Sequence, residues 1–192
     1  KMKEAGIVDS GDTETMGIGA VRAATAKEFF GKMLTASAVA VTQPDARRML
    51  AYSSIAQVGY MVLGLSLASV TGLTAALLHM MNHAVMKSAL FMALGCVAYR
   101  LGGTAVTDLR GLGRSMPWTM AAFVGGGLSL IGVPLTVGFI SKWYLVLAAL
   151  EQGRWILVAA IVASSLLALA YIWRIVEVAY FKGPVRADVK EA

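Results

Sequence analysis

Charge is what this sequence has least of. Only 15% of its 192 residues are Asp, Glu, Lys or Arg, where soluble domains run near a quarter. Hydrophobic residues make up 58% and the mean hydropathy is +0.70. Together these values exclude a disordered tail and argue against a water-soluble domain. The shortage is also uneven. From Met49 to Tyr99 the sole charged side chain is Lys87, and from Ser115 to Leu150 it is Lys142. Acids are scarcer than bases, 11 against 17. That surplus would suit nucleic acid only as a basic face in polar surroundings; here the cations flank apolar runs, so they read as orientation charges and no nucleic-acid partner is expected. Cysteine is nearly absent. Cys96 stands alone in an apolar run beside Gly95, which excludes a disulfide framework and fits a packed membrane-helix cysteine. Without paired cysteines or a glycine-rich nucleotide loop after a strand, the chain carries no redox motif, and no cofactor is expected on it.

What is present is a series of apolar runs. About 20 residues at 1.5 Å rise cross a hydrocarbon core, and six candidates approach that length: Phe29 to Thr42 (short, with Lys32), Met49 to Val70, Leu73 to Tyr99, Pro117 to Val133, Thr136 to Leu150 and Trp155 to Phe181. The expected fold is therefore all-α, a polytopic transmembrane bundle of about five or six helices over residues 29–182. Residues 1–28 form a polar lead with interspersed acids, unlike a signal peptide. It is expected to be non-native or disordered, and a missing segment is expected upstream of Lys1. Residues 183–192 form a polar tail.

Punctuation supports these limits. Thr71-Gly72 reads as the tight turn of an antiparallel hairpin, and Arg100 to Met116 as a polar link ending at Pro117, well placed as a first helical residue. Within "GVPLTVGF", Pro134 follows Gly132 and precedes Gly138, so one discontinuous helix is expected near Pro134–Lys142. Irregular backbone at membrane depth is tolerated where protein buries it or where it lines a wet cavity. If all six runs span, Arg47, Arg48, Arg100, Arg110, Arg114 and Arg154 share one face, the cytoplasmic one by the positive-inside rule. Lys182, Arg186 and Lys190 then compete from the other.

Ionisable groups inside a bilayer cost at least about 2.5–3.5 kcal/mol each and are functional candidates by default. In "LLHMMNHAVMKSALF", His79, His83 and Lys87 recur every four residues, on one helix face. Three readings compete. His79 and His83 have a two-ligand metal spacing, but no Glu follows as in a zincin and Lys87 would repel the ion. They could instead hydrogen-bond between helices. The favoured reading is a proton path, since imidazoles titrate near neutrality and desolvation disfavours a lysine's charged form. Lys142, in "GFISKWYLVL", has no carboxylate within helical reach; a hydrated lysine at a broken helix can alternate between charged and neutral forms, and the competing reading is a snorkelling interfacial lysine. Ser53, Ser54, Gln57, Tyr60, Ser164 and Ser165 are the smaller polar groups that would hold water along the path. Arg174 and Glu177, at i, i+3, read as an interfacial ion pair.

In order along the chain, "DARRMLAYSSIAQVGYMVLGL", "HMMNHAVMKSALFMALG" and "GVPLTVGFISKWYL" resemble the signatures of the proton-translocating antiporter-like membrane subunits. That family includes the D-type subunit of Mrp-type cation/proton antiporters and the L, M and N subunits of the complex I NADH-quinone oxidoreductase. The closing "AYIWRIVEVAYF" looks closest to the D-type branch. The resemblance covers roughly Thr35 to Lys182. It implies two inverted five-helix repeats, each with a discontinuous helix, and a hydrated line of Lys, His and acids along the membrane midplane. Lys142 would match the lysine of the second discontinuous helix, which exchanges protons with the periplasmic side. His79, His83 and Lys87 would match the central connecting helix.

Two departures stand out. Arg47 replaces the lysine of the family's D-x-K-R pattern, and arginine is effectively never deprotonated, so it can steer protons but hardly relay them. The first inverted repeat is absent, so the chain looks like the C-terminal half of such a subunit. The expected function is a proton-translocating subunit in a bacterial inner membrane, working with other membrane subunits of an antiporter or complex I-like assembly and moving H+ alone or with Na+ or K+. Its path would be Lys142, Lys87, His83 and His79, supported by Arg47, Gln57, Ser53 and Tyr60. The alternatives are a transport-inactive assembly subunit and a metal-binding membrane enzyme using His79 and His83.

Overall fold

The computed structural model describes residues 28–183. The expectations for the polar lead and for almost all of the tail lie outside the described residues. Among these the chain is helical: α1 (residues 28–42), α2 (Ala46–Ser66), α3 (Val70–Leu101), a 3-10 turn (Val106–Leu109), α4 (Leu112–Ser115), α5 (Pro117–Ile131), α6 (Val137–Glu151), α7 (Trp155–Val176) and a closing π turn (Glu177–Phe181). Three helices are long and apolar enough to cross a membrane alone: α2, α3, and α7 with its π turn. The all-α bundle matches the composition argument.

Helix starts follow local capping chemistry. Asp45 accepts from the backbone N–H groups of Arg47 (2.8 Å) and Arg48 (3.2 Å), satisfying two donors that the first turn of α2 leaves free. Ser69 does the same for Gly72 at the start of α3 (3.0 Å). The α2–α3 turn is thus Leu67-Ala68-Ser69 rather than Thr71-Gly72. Gly72 lies within α3, where a Cβ would fall 2.6 Å from the carbonyl oxygen of Gly64. It is glycine for close helix approach, not for turning.

The loops sort into two ends of the bundle. At one end Ala46 N–H donates to Thr104 O (2.9 Å), Val106 N–H to Pro44 O (2.9 Å) and Gly111 N–H to Val178 O (3.3 Å). The end of α7 is therefore beside the α1–α2 and α3–α5 links. At the other end the Gln152 amide donates to Leu67 O (2.5 Å) and the Thr71 hydroxyl to Glu151 (3.0 Å). Along α3, Leu90 faces Gly126, Met86 faces Gly138, His79 meets Ser141 and Thr71 meets Glu151. So α5 and α6 run end to end, antiparallel to α3.

This corrects the count of crossings. Pro117–Val133 and Thr136–Leu150 are two halves of one discontinuous crossing, each half only about 22 Å long at 1.5 Å per residue. Arg154 consequently stands at the end opposite Arg47, Arg48, Arg100, Arg110 and Arg114, and Lys182 joins those five. Exposed Tyr99 and Trp118 flank the arginine-rich end and exposed Trp155 the other, the positions aromatic residues take at membrane interfaces. Val58, Leu77, Met81, Val85, Val162 and Leu166 are exposed between them, an apolar outer surface suited to lipid.

Candidate functional site

The interior contains two apolar clusters. One gathers Leu50, Met86, Leu90, Phe123, Leu130 and Ile172 towards the arginine-rich end; the other gathers Ala56, Leu63, Ala75, Leu145, Ala160 and Ile161 towards the opposite end. On every long helix the buried polar residues fall at the level where the clusters meet: Ser53 and Gln57 on α2, His79 and Lys87 on α3, Ser141 and Lys142 on α6, Ser164 on α7. Burying these groups is tolerable only with partners, and most have one.

Lys142 sits at the helix break. Gly132, with φ 88°, ends α5 in the left-handed conformation that glycine adopts without strain. Its turn leaves α5's last carbonyls without helical partners. The Lys142 ammonium supplies them, donating to Leu130 O (3.0 Å), Ile131 O (2.9 Å) and the Ser165 hydroxyl (3.0 Å). Three N–H bonds meet three acceptors, and the negative end of α5's dipole favours the cation. Lys142 is 6% exposed, so it does not snorkel. A groove of about 450 Å³, lined by Pro134, Phe139, Trp143, Val158 and Leu166 among others, runs along the break to Lys142 and Ser165.

Lys87, 7% exposed, donates to Leu50 O (2.6 Å) and, in a short bond, to the Ser53 hydroxyl. Between the lysines stand the histidines. His79 is held through Nδ1 by Ser141 (2.9 Å) and through Nε2 by Gln57 (2.8 Å). His83 stacks on it with ring centres 6.5 Å apart, half-buried, its Nδ1 without a hydrogen-bond partner among the described residues. Tyr60 meets His79 edge-on at 5.3 Å and carries the Lys142 ammonium over its ring at 5.0 Å.

Thus Lys142, Lys87, His83, His79, Gln57, Ser53 and Tyr60 come together. Arg47 does not: it is exposed in the first turn of α2. Ser54 bonds back to Leu50 O (3.0 Å) within its own helix. Arg174 and Glu177 form no pair. Arg174 donates to the carbonyls of Val41 and Gln43 (2.9 Å each) at the end of α1, while Glu177 faces Lys182 at 3.5 Å; free helix-end carbonyls on a neighbouring segment outcompete the i, i+3 carboxylate. Sequence reading missed Ser37, Ser141 and Tyr171, all buried. Ser141 was detectable, since it precedes Lys142 and shares the helix break.

Residues 30–168 match the profile of the NADH:quinone oxidoreductase/Mrp antiporter transmembrane family. The chain belongs to this family. A family relative, NADH-quinone oxidoreductase subunit N of Desulforudis audaxviator, is 52% identical over 151 residues, covering 79% of this chain and 30% of that protein. The D-type subunit of the Na(+)/H(+) antiporter of Alkalihalophilus pseudofirmus is 37% identical over 130 residues, 68% of this chain and 26% of that one. The higher identity is thus to a subunit N, although the closing motif had pointed to the D-type branch. Among solved structures, a chain of the Mrp complex from Dietzia sp. DQ12-45-1b superposes with a TM-score of 0.84 at 31% identity, covering 90% of this chain and 32% of its own. The chain spans about a third of the length of the curated relatives it matches. Family membership and the apolar helices make it an integral membrane protein.

Proposed function

We propose that this chain is the proton-translocating part of a membrane subunit in a multisubunit cation/proton antiporter or a complex I-like NADH:quinone oxidoreductase of a bacterial inner membrane, and that protons pass along Lys87, His83, His79 and Lys142. The observation that carries this reading is the pair of buried lysines. Among the described residues neither has a carboxylate partner; both are solvated by carbonyl and hydroxyl oxygens. A lysine kept for stability alone would gain from a counter-charge. One bonded only to neutral oxygens can release a proton and stay in place as an amine, because the acceptors lose no charge partner. Two imidazoles stacked between the lysines supply intermediate sites that both donate and accept. Partner membrane subunits, H+ and any exchanged Na+ or K+ belong to this proposal, as does placing the arginine-rich end in the cytoplasm.

Lys142→Arg is the sharpest test. Arginine keeps the charge and can reach the α5 carbonyls but is effectively never deprotonated. Proton flux into vesicles containing the complete complex should fall by at least about tenfold, in Lys142→Arg as in Lys142→Ala, while assembly on native gels is kept in the Arg variant. Parent-level flux in both would overturn the reading and favour an assembly role.

A further inference from the structure

Tyr171 is a buried polar group that the path above leaves unused. It lies in the last third of α7 with 0% exposure, in the larger apolar cluster, and its hydroxyl has no hydrogen-bond partner among the described residues. A phenylalanine would fill that space without burying an unsatisfied hydroxyl.

Its polar surroundings are hydroxyl groups of α2 and α7. Ser53 and Tyr60 are the polar side chains near Tyr171. Ser53 accepts from Lys87. Tyr60 donates to Ile161 O (3.3 Å) and neighbours Ser164 and Ser165. Ser165 accepts from Lys142 (3.0 Å), and Ser164 bonds Ser37 of α1 (2.8 Å). Ser53 to Tyr60 on α2, and Ser164 to Tyr171 on the antiparallel α7, each cover about 10 Å of rise. Hydroxyls that far apart need an intermediary, and an unpartnered phenol among other hydroxyls offers a water the polar contacts it requires.

We propose that Tyr171 binds an internal water and closes a second proton branch, Lys87–Ser53–Tyr171–Tyr60–Ser165–Lys142, parallel to the histidine branch. This rests on the proton-path reading of the two lysines. Each member between the lysines is a hydroxyl or water that accepts one proton and donates another. The proton given up by one lysine, which becomes neutral, is thus matched by a different proton taken up by the other, neutral beforehand and charged afterwards, while the groups between them keep their charge. Parallel branches make the effects of breaking them non-additive.

The test uses vesicles containing the complete complex. Tyr171→Phe alone should lower proton flux about twofold, and His79→Gln with His83→Gln should lower it while leaving a measurable remainder. Adding Tyr171→Phe to that pair should then lower flux at least about tenfold further. Abolition by the histidine pair alone, or an equal effect of Tyr171→Phe in both backgrounds, overturns the branch. Infrared difference spectra supply a readout independent of flux: the phenol C–O band lost in Tyr171→Phe should shift within minutes of transfer to D2O. Exchange only over hours would mean a dry phenol and overturn the proposal. Lys142→Arg separates the two ideas. If it transports normally the lysine path fails; if it is inactive and the Tyr171 tests are negative, only the branch fails.

Discussion

Alanine at Gly138 should loosen the helix break more than alanine at any of the three consecutive glycines of α5. A Cβ on Gly138 would run into the carbonyl oxygen of Ser129, and a backbone atom cannot rotate away as a side chain can. Gly138 N–H also donates to the Ser129 hydroxyl (3.2 Å), so α5 and α6 would have to separate where Lys142 bridges them. Overpacking of this kind costs about 1–3 kcal/mol, and the upper end applies because the obstacle is main chain. At Gly127 the obstacle is Ile172 Cγ2 at 2.8 Å; at Gly126 it is the Leu90 side chain at 3.1 Å; at Gly125 nothing lies within 4 Å. Gly125→Ala should therefore gain the helix preference of alanine, about 0.5–1 kcal/mol. The expected order of stability is Gly125→Ala above the parent, then Gly126→Ala, Gly127→Ala and Gly138→Ala. The two extremes should differ by about 3.5–4 kcal/mol, several hundredfold in the unfolding constant. Reversible unfolding in mixed detergent and SDS measures the series. Equal stability of Gly125→Ala and Gly138→Ala would refute the end-to-end contact of α5 and α6.

Two further outcomes follow from the arginine-rich end. Asp45→Ala removes both N-cap bonds of α2 and the bond from the Thr104 hydroxyl (3.0 Å), and should cost about 1–2 kcal/mol in the same assay; an unchanged midpoint would show that the cap is dispensable. Arg174→Ala should cost about 2 kcal/mol through the lost bonds to α1, while Glu177→Ala should cost less than about 0.5 kcal/mol, since its partner Lys182 is half exposed. Equal effects would restore the i, i+3 pair read from the sequence.

Much of the site was legible because a charge in an apolar run has few neutral explanations. Lys87 and Lys142 stood out by their isolation, and the four-residue spacing of His79, His83 and Lys87 put them on one face before any contact was known. Pro134 between two glycines marked the break. The direction of the chain across that break was not legible. Two 15-residue apolar helices have the same hydropathy whether they lie side by side or end to end, and only the matching of Leu90 with Gly126 and His79 with Ser141 along α3 decides it. Gly72 misled for a related reason, since glycine signals a turn and a close helix contact with the same letter. Tyr171 was silent because a tyrosine in an apolar stretch is ordinary packing until its hydroxyl is found unsatisfied.

Because α5 and α6 share a single passage, the described helices run an odd number of times between the two ends of the bundle, and residues 28 and 183 lie at opposite ends. Joined head to tail, a second such unit would enter the bilayer upside down with no change to its own internal contacts. Its arginines would not come with it unchanged: those beside Pro117 would then lie on the opposite side from the first unit's, and the positive-inside bias would favour losing or relocating them.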